Sequence, residues 1–177
     1  MSYQDVLPPA KKLRNLDFNW TGKSVLDLGC NIGLVGSYVL ANGASDYVGI
    51  EYNREFIKEA RERNPKFKIY KTDVMEYSRY KSDVTVALAI FQHLDEHKIE
   101  KLLKDSKSKE YIIEVPFDSG FGEEEPPAYK GEVRYTRTLG FYEEKIKQFY
   151  GGIEEVVASG CPCEFPRVIF YCKKLDK

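Results

Sequence analysis

An acidic residue and two glycines follow the first apolar run of the chain, in a spacing that fits a ligand-holding turn. Asp27 stands just before Gly29, and Gly33 opens a stretch with helical spacing of apolar residues. Glycine lets the backbone turn sharply and approach a ligand, while a helix N-terminus offers free N–H groups. A carboxylate at Asp27 would repel a pyrophosphate but would suit an ammonium group. The turn therefore predicts a site for a polar ligand that carries a cation.

Two further carboxylates stand at the ends of the next two predicted strands. Glu51 has the spacing from the glycine turn that is expected of a carboxylate that accepts hydrogen bonds from ribose hydroxyls. Asp73 precedes Val74, and it could accept a hydrogen bond from an adenine amino group beside an apolar wall. Taken singly, such carboxylates are more often solvated groups at loop edges, and such glycines can simply be tight-turn residues. Their joint occurrence at the ends of successive strands favours a binding site.

Candidate reacting groups follow the fourth and fifth predicted strands. His93 could act as a general base or orient a hydroxyl group, or it could cap the next helix. Gln92 could donate or accept a hydrogen bond from a substrate. Glu114 lies in an otherwise apolar run, so its carboxylate needs either a partner or a ligand.

A loop is predicted over residues 116–140, because glycines, prolines and a run of three glutamates fill it. Loops of this length in a compact domain are usually functional or mobile, and this one is expected to lie over the active site. Arg134 and Arg137 could clamp a carboxylate or phosphate of the substrate, or they could be solvated surface groups.

Strands and helices alternate through the first two-thirds of the chain, which predicts a parallel sheet with helices on both faces. The last two strands have no helix between them and are expected to pair antiparallel. The chain shows no repeat and no linker, so residues 1–177 are expected to form one domain with a lead-in over 1–21. The predicted strands cover 24–28, 47–51, 67–71, 84–88, 111–115, 153–158 and 168–173, and the predicted helices cover 10–16, 33–42, 53–63, 95–106 and 141–150.

The charge balance bears on the kind of partner. Lys and Arg number 27 against 28 Asp and Glu, so the net charge of −1 gives no strong reason to bind a phosphate backbone. RNA as a partner would be supported by a local basic patch of Lys11, Lys12, Arg14 and Lys23.

The remaining composition predicts a cytoplasmic protein. The start of the chain lacks a signal-peptide pattern, and no apolar run reaches the roughly 18 residues that span a membrane. Four cysteines in no CxxC pair are expected to be reduced thiols, and their spacing matches no common zinc site, so no metal is expected. These cysteines are Cys30, Cys161, Cys163 and Cys172.

Taken together, three segments of the sequence resemble the class I S-adenosylmethionine-dependent methyltransferases. They are VLDLGCNIG over 25–33, GIE over 49–51 and KTDV over 71–74, and the stretch over 83–94 is similar to the family's fourth strand and following turn. The resemblance covers roughly residues 22–115. It implies a Rossmann-like doubly wound sheet of seven strands in the order 3-2-1-4-5-7-6, mostly parallel with one antiparallel strand.

The resemblance also implies roles at the cofactor. The methionine part of S-adenosylmethionine would be held by Asp27 and by the backbone of Gly29, Cys30, Asn31 and Gly33. Glu51 would bind the ribose with Tyr52 beside the adenine, Asp73 and Val74 would bind the adenine edge, and Leu88 and Ala89 would present backbone near the cofactor's amino group. Asn31 stands where the family most often has glycine, but asparagine tolerates a positive φ, so the turn is expected to form.

The expected activity is transfer of a methyl group to an oxygen or nitrogen atom, with a small molecule as acceptor and S-adenosylhomocysteine as product. A tRNA or rRNA methyltransferase is the alternative within enzymes. A non-catalytic, cofactor-binding subunit of a complex is the alternative outside them. A nicotinamide-binding protein ranks third, since the turn lacks the G-x-G-x-x-G pattern.

Overall fold

The computed structural model describes residues 9–117, 135, 137–159 and 166–174. Its helices are α1 (Pro9–Leu13), α2 (Leu34–Ala41), α3 (Arg54–Arg63), α4 (Glu96–Asp105) and α5 (Leu139–Tyr150). Its strands are β1 (Ser24–Leu28), β2 (Asp46–Glu51), β3 (Lys68–Lys71), β4 (Val84–Leu88), β5 (Glu110–Pro116), β6 (Gly151–Ala158) and β7 (Arg167–Lys174). Short 3-10 helices cover Val74–Arg79 and Phe91–His93.

The strands form one seven-stranded sheet in the order β3-β2-β1-β4-β5-β7-β6. The five strands from β3 to β5 run parallel, and β7 pairs antiparallel with both β5 and β6. The predicted strand order and the single antiparallel strand are therefore confirmed. The hairpin between β6 and β7 was predicted from the lack of a helix between them.

Side chains alternate between the two faces of the sheet, and each face is covered by a different set of helices. Ile99 and Ile146, from α4 and α5, belong to the apolar cluster that includes Leu26 and Leu28 of β1. Ile57 of α3 belongs to the second cluster, together with Val25 of β1. Asp27, which alternates with Leu26 and Leu28, consequently points to the face covered by α1, α2 and α3.

Several predicted boundaries are corrected. The first helix ends at Leu13 instead of continuing to residue 16, and the chain leaves it through turns. The helix α5 begins at Leu139 instead of Phe141, because the Thr138 hydroxyl accepts a hydrogen bond from the Phe141 N–H and starts the helix earlier. The predicted loop over 116–140 is shorter at both ends, since Pro116 also pairs with β7. Residues 118–134 and 136 of that loop lie outside the described residues.

No helix in the described ranges is long and apolar enough to cross a membrane. Cys30 and Cys172 are buried free thiols. Cys161 and Cys163 lie outside the described residues.

Candidate active site

The predicted site residues meet at one edge of the sheet because adjacent parallel strands end together. Asp27 of β1 lies beside Gly49 of β2 on one side and beside Val86 of β4 on the other. Glu51 of β2 pairs in turn with Lys71 of β3. The carboxyl ends of these four strands therefore bring Asp27, Glu51, Asp73 and Leu88 to the edge where open α/β sheets bind ligands.

The turn after β1 has the conformation that its glycines predict. Gly29 has φ +68, Gly33 has φ +78, and Asn31 has φ +50, in the left-handed region that the asparagine was expected to tolerate. The Cys30 N–H donates to the Ile50 carbonyl at 3.0 Å, which ties the turn to β2. A Cβ on Gly29 would lie 2.2 Å from Ile90 Cδ1, and one on Gly33 would lie 2.7 Å from the Phe67 ring. Both glycines are therefore required by conformation, and Gly33 is also required by the space that the Phe67 ring leaves.

Glu51 is held in place by backbone donors. Its Oε1 accepts from the N–H groups of Tyr52 and Asn53, each at 2.8 Å, and its Oε2 accepts from the Asn31 N–H at 3.1 Å. The side chain is nearly buried, with 5% of its surface exposed. A carboxylate oxygen accepts more than one hydrogen bond, so Oε2 retains capacity for a hydroxyl donor.

Asp27 is buried at the end of β1 and accepts a hydrogen bond from the Tyr47 hydroxyl at 2.7 Å. Burial raises the pKa of its carboxyl from 3.8 to about 7, against the lowering effect of the Tyr47 hydrogen bond and with a smaller rise from Glu51. Burial likewise raises the pKa of the neighbouring Cys30 thiol. The Cys30 side chain is therefore neutral, and a contact of its backbone with the cofactor stays a prediction.

Asp73 caps the 3-10 helix that follows β3, because its Oδ1 accepts from the Met75 N–H at 2.8 Å. The side chain is exposed, and the capping bond engages one of its two oxygens. Tyr52 is also exposed, with 69% of its surface accessible, although it follows directly on the buried Glu51. The two residues lie where the adenosine was expected, and their roles there stay predictions.

The end of β4 carries local backbone strain. Ala89 has φ +60, which is unfavourable for a residue with a Cβ and is common at functional sites. Its N–H donates to the Glu114 carbonyl at 3.2 Å, which anchors the turn to β5. The next residue, Ile90, fills the space left by Gly29. The strain therefore lies where the ends of β1 and β4 meet.

Gln92 and His93 lie in the 3-10 helix after this turn. The Gln92 amide nitrogen lies 3.2 Å from His93 Nε2, and the Gln92 side chain is 3% exposed. Gln92 Oε1 is buried and has no hydrogen-bond partner in the part of the chain that the structure describes. His93 does not cap α4, although the alternative interpretation expected it to, because the cap is Asp95, which accepts from the Lys98 N–H.

Arg137 contacts this segment through its guanidinium. It donates to the Leu94 carbonyl at 2.8 Å and to the Phe91 carbonyl at 3.4 Å, and it stacks on the ring of Tyr135. Arg137 thus fastens the chain before α5 to the turn after β4, and a contact with substrate stays a prediction. Arg134 lies outside the described residues.

Glu114 has the partners that its burial requires. Lys12 of α1 lies 2.8 Å from its Oε1, and Arg167 of β7 lies 3.8 Å from its Oε2. Burial lowers the pKa of the Lys12 ammonium, and Glu114 partly offsets that shift. Lys12 is 2% exposed, so its expected place in a basic surface patch is wrong. Whether Glu114 also faces a substrate stays a prediction.

Some residues that build this site carry no local signal in the sequence. Tyr47 is one of 13 tyrosines and has the apolar neighbours of an ordinary core residue. The contact between Lys12 and Glu114 joins residues 102 positions apart. Pairing that depends on the tertiary fold has no counterpart in sequence periodicity, so these contacts are visible only in the three-dimensional structure.

Comparison with known proteins agrees with this geometry. The model of a family described as a methyltransferase domain matches residues 25–108, which include the glycine turn and the ends of β1 to β4. No curated protein sequence matches the chain.

Solved structures share the fold over nearly the whole chain. An S-adenosylmethionine-dependent methyltransferase from Mesorhizobium loti is 15% identical with a TM-score of 0.74, and the alignment covers 96% of this chain and 99% of that one. Magnesium protoporphyrin IX methyltransferase from Synechocystis, with bound S-adenosylhomocysteine, is 14% identical with a TM-score of 0.75, at coverages of 98% and 83%. The 1,6-didemethyltoxoflavin-N1-methyltransferase of Burkholderia thailandensis is 15% identical with a TM-score of 0.74, at 98% and 80%. At these identities the likeness shows the fold alone.

Proposed function

We propose that this chain is a class I S-adenosylmethionine-dependent methyltransferase that methylates an oxygen or nitrogen atom of a small molecule. The observation that carries the proposal is the meeting of three carboxylates with a left-handed glycine turn at one sheet edge. The carboxylates are Asp27, Glu51 and Asp73.

The residues at this edge fit the cofactor part by part. Asp27 is a buried carboxylate whose raised pKa makes an approaching ammonium a favourable partner, because the opposite charge offsets the cost of ionisation. Gly29 and Gly33 give the turn between Asp27 and α2 its left-handed conformation. Glu51 Oε2 has capacity for a ribose hydroxyl. The backbone of Cys30 and Asn31 completes the contact with the methionine part.

The adenine end is assigned to residues after β2 and β3. Asp73 would accept from the adenine amino group through the oxygen that does not cap the 3-10 helix, and Val74 would line the ring. Tyr52, which is exposed, would pack on the adenine face. At the other end, the backbone of Leu88 and Ala89 would approach the amino group of the methionine part.

S-adenosylmethionine supplies an electrophilic methyl group on a sulfonium. The protein's own contribution is to align the nucleophile with that methyl and to receive its proton. His93 is the proposed base, and Gln92 is the proposed hydrogen-bond partner of the acceptor, through its buried Oε1. Glu114 is a second candidate base, and Arg134 and Arg137 are proposed to contact the acceptor.

Two observations support a small acceptor over RNA. The Synechocystis and Burkholderia proteins are named for methylation of small molecules. The basic patch that could serve RNA is also reduced in this structure, since Lys12 is buried against Glu114 and Lys23 pairs with Glu110 at 2.5 Å. We place the enzyme in the cytoplasm, where the buried thiols Cys30 and Cys172 stay reduced.

Isothermal titration with S-adenosylhomocysteine and with NAD tests the cofactor. The proposal expects binding of S-adenosylhomocysteine and none of NAD; the reverse would overturn it. Incubation with S-adenosylmethionine labelled in its methyl group then separates the acceptors. Label in a small-metabolite extract supports the proposal, and label in bulk tRNA or rRNA supports the alternative. Tight binding with no transfer to any acceptor supports a non-catalytic subunit.

A further inference from the structure

Tyr47 is a buried tyrosine whose hydroxyl group reaches the proposed ammonium-binding carboxylate. Its hydroxyl donates to Asp27 Oδ2 at 2.7 Å, and only 3% of the residue is exposed. Gly49, not Tyr47, lies opposite Asp27 in the sheet. Tyr47 precedes Gly49 by two positions on the same face of β2, so its phenol leans along the strand to reach Asp27.

Two glycines make room for this phenol. A Cβ on Gly36 of α2 would lie 2.6 Å from the Tyr47 ring. A Cβ on Gly49 would lie 3.2 Å from the Tyr47 hydroxyl and 2.6 Å from the Cys30 sulfur. Neither glycine has a positive φ, so the space, and not the backbone conformation, accounts for the absence of a side chain at both positions. The tyrosine and the glycines around it form one built arrangement.

The hydrogen bond from Tyr47 is the feature that orients the Asp27 carboxylate. Tyr47 is the only hydrogen-bond donor to the Asp27 carboxylate in the described part of the chain. The titratable groups around Asp27 are Tyr47 from β2, Cys30 from the turn and Glu51 from the end of β2. Burial and the Glu51 charge favour the protonated form of Asp27, and the phenol alone favours the ionised form.

We propose that Tyr47 is a positioning residue for cofactor binding, which fixes the Asp27 carboxylate and favours the ionised form that receives the ammonium group of the methionine part. The inference rests on the proposed assignment of Asp27 to that ammonium. Tyr47 acts through Asp27 and does not itself contact the cofactor. Its contribution should therefore depend on pH and on the presence of the ammonium in the ligand.

The test compares two ligands and three variants by isothermal titration. S-adenosylhomocysteine carries the amino-acid part, and 5′-methylthioadenosine lacks it. Tyr47→Phe keeps the ring that packs on Phe67, and Asp27→Asn removes the charge. Tyr77→Phe is the matched control, because it removes another buried phenol, one that donates to the Leu102 carbonyl in a different part of the core.

At pH 7, Tyr47→Phe should weaken the binding of S-adenosylhomocysteine about tenfold, as expected for a lost hydrogen bond to a charged group. It should change the affinity for 5′-methylthioadenosine less than about twofold. The loss of affinity for S-adenosylhomocysteine should be smaller near pH 8.5, because Asp27 is ionised there even without the Tyr47 hydroxyl. Tyr77→Phe should leave both affinities unchanged. Equal weakening of both ligands, or a loss that is independent of pH, would show a merely structural role and overturn the inference.

The Asp27→Asn variant separates the two levels of the argument. If it weakens only S-adenosylhomocysteine while Tyr47→Phe behaves as wild type, the Asp27 assignment stands and the Tyr47 inference is overturned. If it binds both ligands as wild type does, the ammonium assignment fails and the inference fails with it.

A measurement on the wild-type protein covers the case in which Tyr47→Phe does not fold. The carbon-13 shift of the Asp27 carboxyl, followed from pH 5 to pH 9, should show a titration near neutral pH in the free protein and an ionised carboxyl throughout in the complex. A carboxyl that is protonated in the complex would overturn the inference.

Discussion

The backbone N–H of Asn31 donates to the Glu51 carboxylate across 3.1 Å, so the turn after β1 and the end of β2 are joined through one side chain. This contact has a consequence for the turn itself. Asn31 must adopt a left-handed conformation, and the bond to a negatively charged acceptor helps to stabilise it. The ribose-binding candidate and the methionine-binding turn are therefore parts of one structure.

Glu51→Gln should weaken binding of S-adenosylhomocysteine by roughly 10- to 100-fold, since hydrogen bonds to a charged group are worth about 1.5–3 kcal/mol. The substitution also replaces one carboxylate oxygen, an acceptor, with an amide nitrogen, a donor that cannot bind the backbone N–H groups around it. Isothermal titration measures the loss. Glu55→Gln, at an exposed position of α3, is the control and should bind as wild type does. Equal affinities for wild type and Glu51→Gln would contradict the ribose assignment.

Gly33→Ala should lower the free energy of unfolding by about 1–3 kcal/mol, because a left-handed residue with a Cβ is strained. The new Cβ would also meet the Phe67 ring at 2.7 Å. Urea denaturation measures the change. Gly152→Ala is the control, since a Cβ there would meet nothing within 4 Å. If Gly33→Ala were as stable as wild type, the turn would have to accommodate the new Cβ without strain, and the prediction would be wrong.

The ligand-free protein should lose stability as the pH rises through the range set by Asp27. Its pKa is about 7 in the folded protein against 3.8 for the exposed group, so between these values the folded state holds a proton that the unfolded state has released. The free energy of unfolding then falls with rising pH. Relative to wild type, Asp27→Asn should therefore gain stability between pH 5 and pH 8 in denaturation experiments. A difference in the free energy of unfolding between the two proteins that does not change with pH would contradict the raised pKa of Asp27.

Lys12→Met should lower the free energy of unfolding by about 3 kcal/mol, because it leaves the buried Glu114 charge with a more distant partner. Arg167 remains 3.8 Å away and keeps the loss at the lower end of the range for broken buried pairs. Urea denaturation checks the value, with the exposed Lys11→Met as control. A loss below about 1 kcal/mol, typical of surface ion pairs, would mean that the contact stabilises little.

The sequence predicts the sheet well because its signals are local. The apolar run over 24–28 and the one over 84–88 match β1 and β4 in their bounds. The predicted helix over 53–63 agrees with α3 to within one residue, since Asn53 caps it and its side chain accepts from the Glu55 N–H. Helix ends are less well predicted. At α5, Gly140 indicates a loop in the sequence, but the Thr138 cap starts the helix before it.

The chemistry of the site is predicted only in part. Carboxylates at strand ends are visible as a pattern, because parallel strands align their ends. The environment of each carboxylate depends instead on residues distant in the chain, such as Tyr47 for Asp27 and Lys12 for Glu114. Sequence spacing carries no information about these pairs.

S-adenosylmethionine is proposed to bind at the shared edge of β1 to β4, and a crystal structure with S-adenosylhomocysteine tests this binding site most directly. We expect the ligand's ammonium within hydrogen-bond reach of Asp27, directly or through one water, with its ribose hydroxyls on Glu51 and its adenine beside Asp73. His93, Gln92 or Glu114 should then lie within about 6 Å of the position of the methyl group, a hydrogen bond plus one water. A ligand bound away from Glu51 and Asp27 would contradict the account.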